Sequence, residues 1–359
     1  MRICRPQKSL ERASVTVVIP CYNYGKYLPQ VVNSVLSQER VDVRIIIVDD
    51  ASPDGSAKVA TAIADTDARI SVVAHAENEG HIGTYNDGLA RIETTYAVLL
   101  SADDLLAPHA LARATDLMAA HPAVGMVYGR PVDFNDAEGS PSLSSKDRST
   151  WTVWRGSEWL HLASYRGRCF ILSPEVVMRT EAMREVGYYN PELPHSGDLE
   201  YWLRLASRWD IGYIHGPPQA FYRVHESNMH LLSYSSMATD LSHRLKAFLA
   251  FCSTYELRDD TDGRAILRLA RRALAREALL LAQRELDTGG SQETAIQLAS
   301  TATEADRKAK RNSRYRKYRR RLSRAEAGSQ PNVQQILTEL VRKQMDRMRW
   351  RVWKAIGIS

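Results

Sequence analysis

The chain has 359 residues, 44% of them hydrophobic, and a formal net charge of +6, which favours one large globular domain with an appended segment. Every apolar run is shorter than the roughly 20 residues of a membrane-spanning helix, and "SVTVVIP" near the N-terminus is too short for the core of a secretion signal. The four cysteines, Cys4, Cys21, Cys169 and Cys252, have no paired spacing, which favours reduced thiols in the cytoplasm over disulfides or a zinc site.

Short β-branched runs alternate with helical patterns through the first third of the chain. The predicted strands are 15–20, 43–50, 70–76, a run that starts at Tyr96, and 124–130. These runs are continuously apolar rather than alternating, which is typical of strands in a sheet covered by helices on both faces. Repeated β–α units imply right-handed crossovers, so the sequence predicts an α/β fold with a mostly parallel sheet.

The pattern changes at about residue 131, where a polar stretch begins. A strand-like run at 169–173 follows, and then two helical stretches. The apolar runs 211–216 and 219–225 predict a β-hairpin.

From about residue 236 to the end, the sequence is typical of helices rich in Ala, Leu and Arg. Much of the positive charge lies in 307–324. We therefore expect a first domain at 1–235 and a helical, basic C-terminal region at 236–359.

Two pairs of adjacent aspartates directly follow predicted buried strands: Asp49 with Asp50, and Asp103 with Asp104. The carboxyl ends of parallel strands meet at one edge of the sheet, where ligands bind. The first strand runs into "PCYNYGKY", which lacks the glycine signature of a dinucleotide site or a P-loop. Mg²⁺ or Mn²⁺ instead prefers one or two carboxylates together with substrate phosphates. One such pair is more typical of a helix cap or an Asx turn, but two together favour a metal-assisted phosphate site.

Four segments in this order resemble the nucleotide-sugar-binding half of family 2 glycosyltransferases, which have the Rossmann-like GT-A fold: "VVIPCYNYGKYLPQVVNSVLSQ", "IIIVDDASPDGS", "AENEGHIGTYNDGLA" and "AVLLSADDLL". Downstream, "SGDLEYWLRLA" and "FYRVHESN" resemble the acceptor-side motifs of that family. The resemblance divides the first domain into a nucleotide-sugar-binding half, 14–130, and an acceptor-side half, 131–235. It implies transfer of a sugar, with inversion, from a nucleoside diphosphate to a hydroxyl acceptor such as a glycan or glycolipid, with Mn²⁺ or Mg²⁺.

The same resemblance implies roles for residues around the nucleotide. Pro20 and Tyr22 would line the base pocket, and Asp50 would form a hydrogen bond with the base. Asn78 and Asn86 match positions that shape the nucleotide pocket, although turn and cap roles are an equal alternative for these two.

Asp103 and Asp104 stand where the family has its DXD pair. The resemblance puts Asp103 near the ribose or the metal and Asp104 on the metal. The family often has a further Asp where this chain has Ser101, so Asp104 would carry more of the coordination. Arg223 and His225 resemble residues that face the diphosphate, and His225 is also a candidate metal ligand.

An inverting transferase needs a base that accepts the proton of the acceptor hydroxyl. Asp198 matches the catalytic aspartate of the family at the start of a helix, a position that also suits a helix N-cap. Family members commonly have Glu before it, and this chain has Gly197. Glu200 is a weaker candidate, because its neighbours in the sequence form an apolar helix face.

Two other functions compete with glycosyl transfer. A nucleotidyltransferase acting on sugar phosphates also uses strand-end aspartates, but it usually needs a glycine-rich loop bearing Lys or Arg after the first strand. A nucleic-acid-binding protein is suggested by the basic run with its interleaved Tyr315 and Tyr318. The aspartate motifs have no role in that function, so we expect no nucleic-acid partner.

The C-terminal sequence suggests a contact with a membrane or with a second copy of the chain. In a helix, apolar residues would gather on one side, flanked by basic ones: Met345, Met348, Val352, Trp353 and Ile356, with Arg347, Arg351 and Lys354. Such a pattern suits an interfacial helix on an anionic membrane. We therefore hypothesise that a cytoplasmic enzyme docks on the inner face of the membrane, where a lipid-linked acceptor could be presented. Packing on the catalytic domain or on a dimer partner is a nearly equal alternative.

Overall fold

A computed structural model of the chain describes residues 1–135, 149–225, 236–254 and 262–328, together with five helical positions between 341 and 348. It divides into two compact units. The first consists of Met1–Trp159 and Phe170–Glu226, and the second of Leu160–Cys169 and Ser227–Ser359. The predicted domain boundary after residue 235 falls at the edge of a stretch outside the described residues.

The first unit is organised around one mixed β-sheet. Its strands are β1 Arg2–Cys4, β2 Ala13–Cys21, β3 Val41–Asp49, β4 Ile70–Ala74, β5 Tyr96–Leu99, β6 Leu105–Leu106, β7 Val124–Phe134, β8 Thr150–Trp154, β9 Val177–Arg179 and β10 Asp210–Arg223. The strand order is β1-β8-β10-β7-β9-β5-β2-β3-β4, with β6 paired to β10. The five strands predicted in the first third of the chain are therefore present.

Seven helices accompany these strands in the described chain up to residue 225. They are α1 Leu28–Leu36, α2 Ser56–Ala64, α3 Gly80–Ala90, α4 Ala110–Ala120, α5 Gly156–Arg166, α6 Thr180–Val186 and α7 Gly197–Arg208. The short 3-10 turns Gly25–Tyr27 and Ser173–Glu175 lie between them. Helix α5 begins in the first unit and ends in the second.

The half of the sheet formed by β5, β2, β3 and β4 is parallel, as predicted. Strands β5, β2 and β3 are buried along most of their length, and Val17, Ile47 and Val98 have no exposed surface, whereas the edge strand β4 is mostly half-buried or exposed. Helix α3 approaches this sheet closely at Gly88, where an added Cβ would lie 2.3 Å from a methyl carbon of Val18. A larger residue there would push α3 away from the sheet.

The other half of the sheet mixes parallel and antiparallel pairs. Strand β10 runs parallel to β7 and antiparallel to β8 and β6. The hairpin predicted from 211–216 and 219–225 is wrong, because β10 is one continuous strand. Its Gly-Pro-Pro segment causes shifts in register against β7 between Tyr213 and Pro218, so residues that suggested a turn instead form an irregularity within the strand.

The strand predicted at 169–173 is also wrong. The 3-10 turn Ser173–Glu175 follows Leu172, and β9 begins only at Val177. The side chain of Glu175 accepts a 2.8 Å hydrogen bond from the backbone N–H of Leu172. Pro174 lies in the first turn, where its missing N–H costs nothing. These local interactions favour the turn over an extended strand.

The described part of the second unit consists of the end of α5, the residues that follow it, and a set of further helices. It contains α8 Met237–Thr254, α9 Gly263–Asp287, α10 Gln292–Ala305, the 3-10 turn Arg307–Arg311 and α11 Ser313–Glu326. Asp262 caps α9 by accepting hydrogen bonds from the amides of Arg264 and Ala265. One face of α9 is buried, with Ile266, Ala270 and Leu274 on it. Within the described residues, no helix has both the length and the apolar composition to cross a membrane.

Candidate functional site

The two aspartate pairs lie at the same edge of the sheet. Strand β2 lies between β3 and β5 and runs parallel to both. Asp49 is the last residue of β3, and the loop after β5 carries Asp103. Pro20 is near the end of β2 between them, and Tyr22 follows it with 47% of its side chain exposed. Parallel strands deliver their carboxyl ends to one edge, so all these residues lie at the edge of the sheet where ligands bind in such folds.

Asp50 is buried and strongly engaged by the protein. Its Oδ1 atom lies 2.9 Å from Nδ1 of His75 and accepts a 2.8 Å hydrogen bond from the amide of Glu79. Burial alone would raise the pKa of Asp50, but hydrogen bonds from His75 and Glu79 lower it, so the carboxylate stays ionised. The amide of Asn78 donates to the backbone carbonyl of Asp50 and accepts from the N–H of Gly80. Asn78 therefore links this aspartate to the start of α3.

Asp103 and Asp104 lie against the end of β10. The Nε2 atom of His225 is 2.9 Å from Oδ2 of Asp103. The backbone N–H of Arg223 donates to Oδ1 of Asp104 at 2.9 Å, and its Nε donates to the carbonyl of Asp103 at 2.7 Å. The fold thus brings together the four residues that the resemblance assigned to the diphosphate and the metal.

The guanidinium of Arg223 has further contacts. Its Nη2 donates a 2.6 Å hydrogen bond to Oε1 of Gln30, on α1. The same group lies 4.5 Å from the ring centres of Tyr27 and Phe134, in cation–π contact with both. Arg223 therefore connects β10 with α1 and the aspartate pair.

One carboxylate oxygen of Asp104 accepts the backbone N–H of Arg223, and the other differs from it in its surroundings. Asp104 is 1% exposed, and its Oδ2 atom is buried without a hydrogen-bond partner. Burial, followed by repulsion from Asp103, raises the pKa of Asp104 well above its usual range. An unpartnered buried oxygen beside a second carboxylate suits a bound cation, which would satisfy the oxygen and offset the repulsion.

Few protein ligands surround this position. In the described part of the chain, no group of three or more His, Cys, Asp or Glu side chains is arranged to hold a metal. In particular, His225 forms a hydrogen bond with Asp103, and its predicted role as a ligand stays a prediction. Mg²⁺ and Mn²⁺ are commonly held by one or two carboxylates and substrate phosphates, and Asp103 with Asp104 fit that arrangement.

Asp198 is in the first turn of α7 and is only partly buried. Its Oδ2 accepts a 2.7 Å hydrogen bond from the hydroxyl of Ser173, and its Oδ1 accepts one of 2.9 Å from the hydroxyl of Tyr189. Burial raises the pKa of Asp198, while these two hydrogen bonds and the nearby His81 oppose the rise. A carboxylate held in one orientation, with a raised pKa, suits a general base.

Asn86 acts on this aspartate through Tyr189. Its amide N–H donates to the carbonyl of Tyr189 at 2.9 Å, and its carbonyl oxygen accepts from the N–H of Tyr189 at 2.8 Å. Both hydrogen-bonding groups of Asn86 are therefore used to hold the tyrosine that contacts Asp198. Its predicted role at the nucleotide pocket stays a prediction.

Glu200, the weaker candidate for the base, is fully buried and forms a 2.8 Å ion pair with Arg204. The guanidinium of Arg204 also donates to the carbonyls of Val186 and Tyr188. Glu200 therefore orients an arginine that holds the segment after α6.

The sequence did not single out Ser173, Glu175, Tyr85 or Gln30. Glu175 is 2% exposed, with one carboxylate oxygen unpartnered, and burial raises its pKa well above the usual range, with Asp104 and Asp198 adding to the rise. The Tyr85 ring packs edge-on against that of Tyr189, with ring centres 5.5 Å apart. Burial and then the charges of Asp198, Asp103 and Asp104 raise the pKa of Tyr85. Both side chains therefore lie within the electrostatic reach of Asp198 and of Asp104.

The chain shares sequence with known glycosyltransferases. Residues 16–176 match the family model described as glycosyl transferase family 2. An uncharacterized glycosyltransferase from Nostoc sp. is 28% identical over 235 residues, which cover 62% of this chain and 68% of that protein. An uncharacterized glycosyltransferase from Haemophilus influenzae is 23% identical over 217 residues, covering 59% of this chain and 65% of that protein. The chain thus spans about two thirds of each of these relatives.

Solved structures share the fold. The crystal structure of S. aureus TarS 1–349 in complex with UDP-GlcNAc has a TM-score of 0.63 at 15% identity, covering 88% of this chain and 92% of that chain. The mannosyltransferase PcManGT from Pyrobaculum calidifontis, in complex with GDP-Man and Mn²⁺, has a TM-score of 0.53 at 19% identity. The match covers 89% of this chain and 86% of that chain. The structural neighbours and the mixed sheet show a GT-A-like α/β fold, and the family match identifies residues 16–176 of this chain as glycosyl transferase family 2 sequence.

Proposed function

We propose that the protein transfers a sugar from a nucleoside-diphosphate donor to a hydroxyl acceptor, with inversion at the anomeric carbon. One observation carries the proposal. The same unit holds an aspartate with an unpartnered buried oxygen, Asp104, and a second aspartate fixed by two hydroxyl donors, Asp198. The first suits a cation that binds the donor phosphates, and the second suits the base that a single-step displacement requires.

In this mechanism Asp198 accepts the proton of the acceptor hydroxyl as its oxygen forms a bond to the anomeric carbon. The bond from that carbon to the donor phosphate breaks on the opposite face, and the nucleoside diphosphate leaves with the bonding electrons. Ser173 and Tyr189 hold the carboxylate of Asp198 toward the acceptor and stabilise its charged form.

Asp103 and Asp104 would hold Mn²⁺ or Mg²⁺. Such a cation, when bound, stabilises the negative charge that develops on the departing diphosphate. Arg223 orients both aspartates: its backbone N–H binds Asp104 and its side chain binds the carbonyl of Asp103. Its positive charge therefore lies next to the aspartate pair. Support for a metal comes from the donor set and from the PcManGT complex, which contains Mn²⁺.

For the nucleotide, Asp50 is the candidate hydrogen-bond partner of the base, with Pro20 and Tyr22 beside it. The exposed ring of Tyr22 can stack on a base without rearrangement of the core. The two structural neighbours were solved with UDP-GlcNAc and GDP-Man, so uridine and guanosine diphosphates are the first donors to test.

The test is a thermal-shift screen of nucleoside diphosphates and their sugars, with Mn²⁺ and with EDTA. We expect one nucleotide to raise the melting temperature by several degrees, more strongly with Mn²⁺. The sugar nucleotide found in this way is then supplied with candidate hydroxyl acceptors, and the anomeric configuration of the product is determined by NMR. A retained configuration would exclude the single-step mechanism, and the absence of stabilisation by any nucleotide would exclude the donor class.

A further inference from the structure

The second unit presents a dense basic surface. Between residues 307 and 324 the chain carries no Asp or Glu, and nine of its cations are exposed: Arg307, Lys308, Lys310, Arg311, Arg316, Lys317, Arg319, Arg320 and Arg324. We refer to these nine side chains as the basic surface. None of them forms an ion pair with a carboxylate among the described residues. Their mutual repulsion is therefore left for an anionic partner to offset.

This surface is held in place by the fold. Tyr318 and Leu322 on α11 are buried, at 3% exposure each. Arg321 donates to Asp287 at 2.6 Å and to Gln283 at 3.1 Å, and Gln283 donates to the carbonyl of Arg314. Helix α11 is therefore fastened to α9 by its apolar side and by one arginine, and its remaining cations face outward.

The docking of α11 rules out one way of binding a membrane and one way of binding nucleic acid. An interfacial helix must insert its apolar side into the bilayer, but the apolar side of α11 is already packed on α9. Proteins that bind single strands stack bases on aromatic rings, but Tyr318 is buried and Tyr315 packs against it with ring centres 5.7 Å apart. The basic surface thus offers charge without exposed rings.

Exposed apolar side chains are nevertheless present further along the chain. Val341, Met345 and Met348 are helical, and their exposures are 59%, 49% and 63%. Their spacing of four and three residues places them on one side of a helix. The rest of the apolar pattern predicted there, from Val352 to Ile356, lies outside the described residues. Cations that attract anionic headgroups, together with apolar side chains that enter the interface, favour a lipid surface over a soluble polyanion.

We propose that the second unit docks the enzyme on an anionic membrane surface, with the basic surface contacting the lipid headgroups and the side chains of Val341, Met345 and Met348 entering the interface. The contact is peripheral. It would keep the enzyme at the membrane, where an acceptor carried on a lipid is presented in two dimensions. The proposal does not depend on which donor the enzyme uses.

The experiment is co-sedimentation of the full-length protein with vesicles of phosphatidylcholine alone or with phosphatidylglycerol. The variant R316E/K317E/R319E/R320E removes four cations of the basic surface. A matched control, R5E/K8E/R44E/K58E, makes the same change of charge at exposed cations of the first unit. Because each basic residue near an anionic surface contributes about a fivefold factor, we expect the first variant to lose partitioning by about two orders of magnitude or more. The control should lose much less.

Two further measurements separate the alternatives. Circular dichroism checks that the variants fold, and R316Q/K317Q/R319Q/R320Q replaces the first variant if the glutamates disturb α11. V341S/M345S/M348S should reduce binding to phosphatidylglycerol vesicles and leave the salt dependence unchanged. Equal sedimentation of the basic-surface variant and its control would overturn the proposal. So would wild-type protein that binds duplex DNA or polyphosphate but not anionic vesicles, or that sediments as a self-associated species without lipid.

Discussion

The hydroxyl of Tyr189 donates a 2.9 Å hydrogen bond to Oδ1 of Asp198, and the backbone of the same tyrosine is fixed by the amide of Asn86. Asn86 is on α3, and α3 is held close to the sheet at Gly88. The orientation of the proposed base therefore depends on the packing of α3 against the sheet.

Ser173→Ala should shift the pH dependence of transfer. The hydroxyl of Ser173 donates to the charged form of Asp198 and thereby lowers its pKa. Without it the pKa rises, so a higher pH is needed to ionise the base, and the acidic limb of the plot of kcat against pH should move to higher pH. Ser173→Thr, which keeps a hydroxyl, should restore the limb. An unchanged limb in the alanine variant would mean that Ser173 does not tune the base.

Asp198→Asn should preserve donor binding and lose transfer. The amide cannot accept the proton of the acceptor hydroxyl, and loss of a general base typically reduces kcat by about 10²-fold or more. Donor affinity is measured by titration calorimetry and kcat with the acceptor found in the screen. Near-normal turnover would remove Asp198 from the mechanism, whereas a loss of donor affinity would show that the substitution disturbs the nucleotide side.

Asp104→Ala should abolish the part of donor binding that depends on metal. The variant lacks the oxygen that is buried without a partner, and the proposed cation loses a principal ligand. The measurement compares stabilisation by the nucleotide in Mn²⁺ and in EDTA. The matched control is Asp42→Ala. It removes an exposed aspartate near the start of β3, at the opposite end of that strand from Asp49. If Asp104→Ala retains the metal dependence of wild type, the metal assignment is wrong.

Asp104→Asn should stabilise the metal-free protein. The folded-state pKa of Asp104 is raised, so the native state binds more protons than the unfolded state, and stability falls as pH rises from the unfolded pKa through the folded one. The asparagine carbonyl can still accept the N–H of Arg223, and the repulsion from Asp103 disappears. In EDTA at pH 8, we expect the asparagine variant to melt a few degrees higher than wild type. This corresponds to a gain of about 1–2 kcal/mol in the free energy of unfolding.

This advantage should shrink at acidic pH, where the wild-type carboxyl is protonated. Nucleotide with Mn²⁺ should stabilise wild type more than the asparagine variant. A variant that melts below wild type in EDTA at pH 8 would show that Asp104 is not a destabilised carboxylate.

The sequence predicted the edge of the sheet where the carboxylates gather, because the strand that ends at Asp49 and the strand that precedes Asp103 are visible as short apolar runs. The partners of Asp198 could not be predicted, because Ser173 and Tyr189 reach it through turns that no periodic pattern marks. Glu175 was missed for a similar reason, since its carboxylate shapes the turn that carries Ser173. The false hairpin arose because Gly216 and the two prolines after it are typical of turns, and only the pairing of β10 with β7 keeps the chain extended.

The contacts of Arg223 have a consequence for how this domain can diverge. One guanidinium fixes the carbonyl of Asp103 and the side chain of Gln30, while the backbone of the same residue fixes Asp104. Substitutions at Gln30 and Arg223 should therefore show strong epistasis, each tolerated only in the background of a compensating change. Lysine at position 223 would keep the charge but lose the planar fork that bonds two segments at once. We expect the pair to be inherited together as one unit, so that a change of donor specificity would arise more readily at exposed Tyr22 than along this contact.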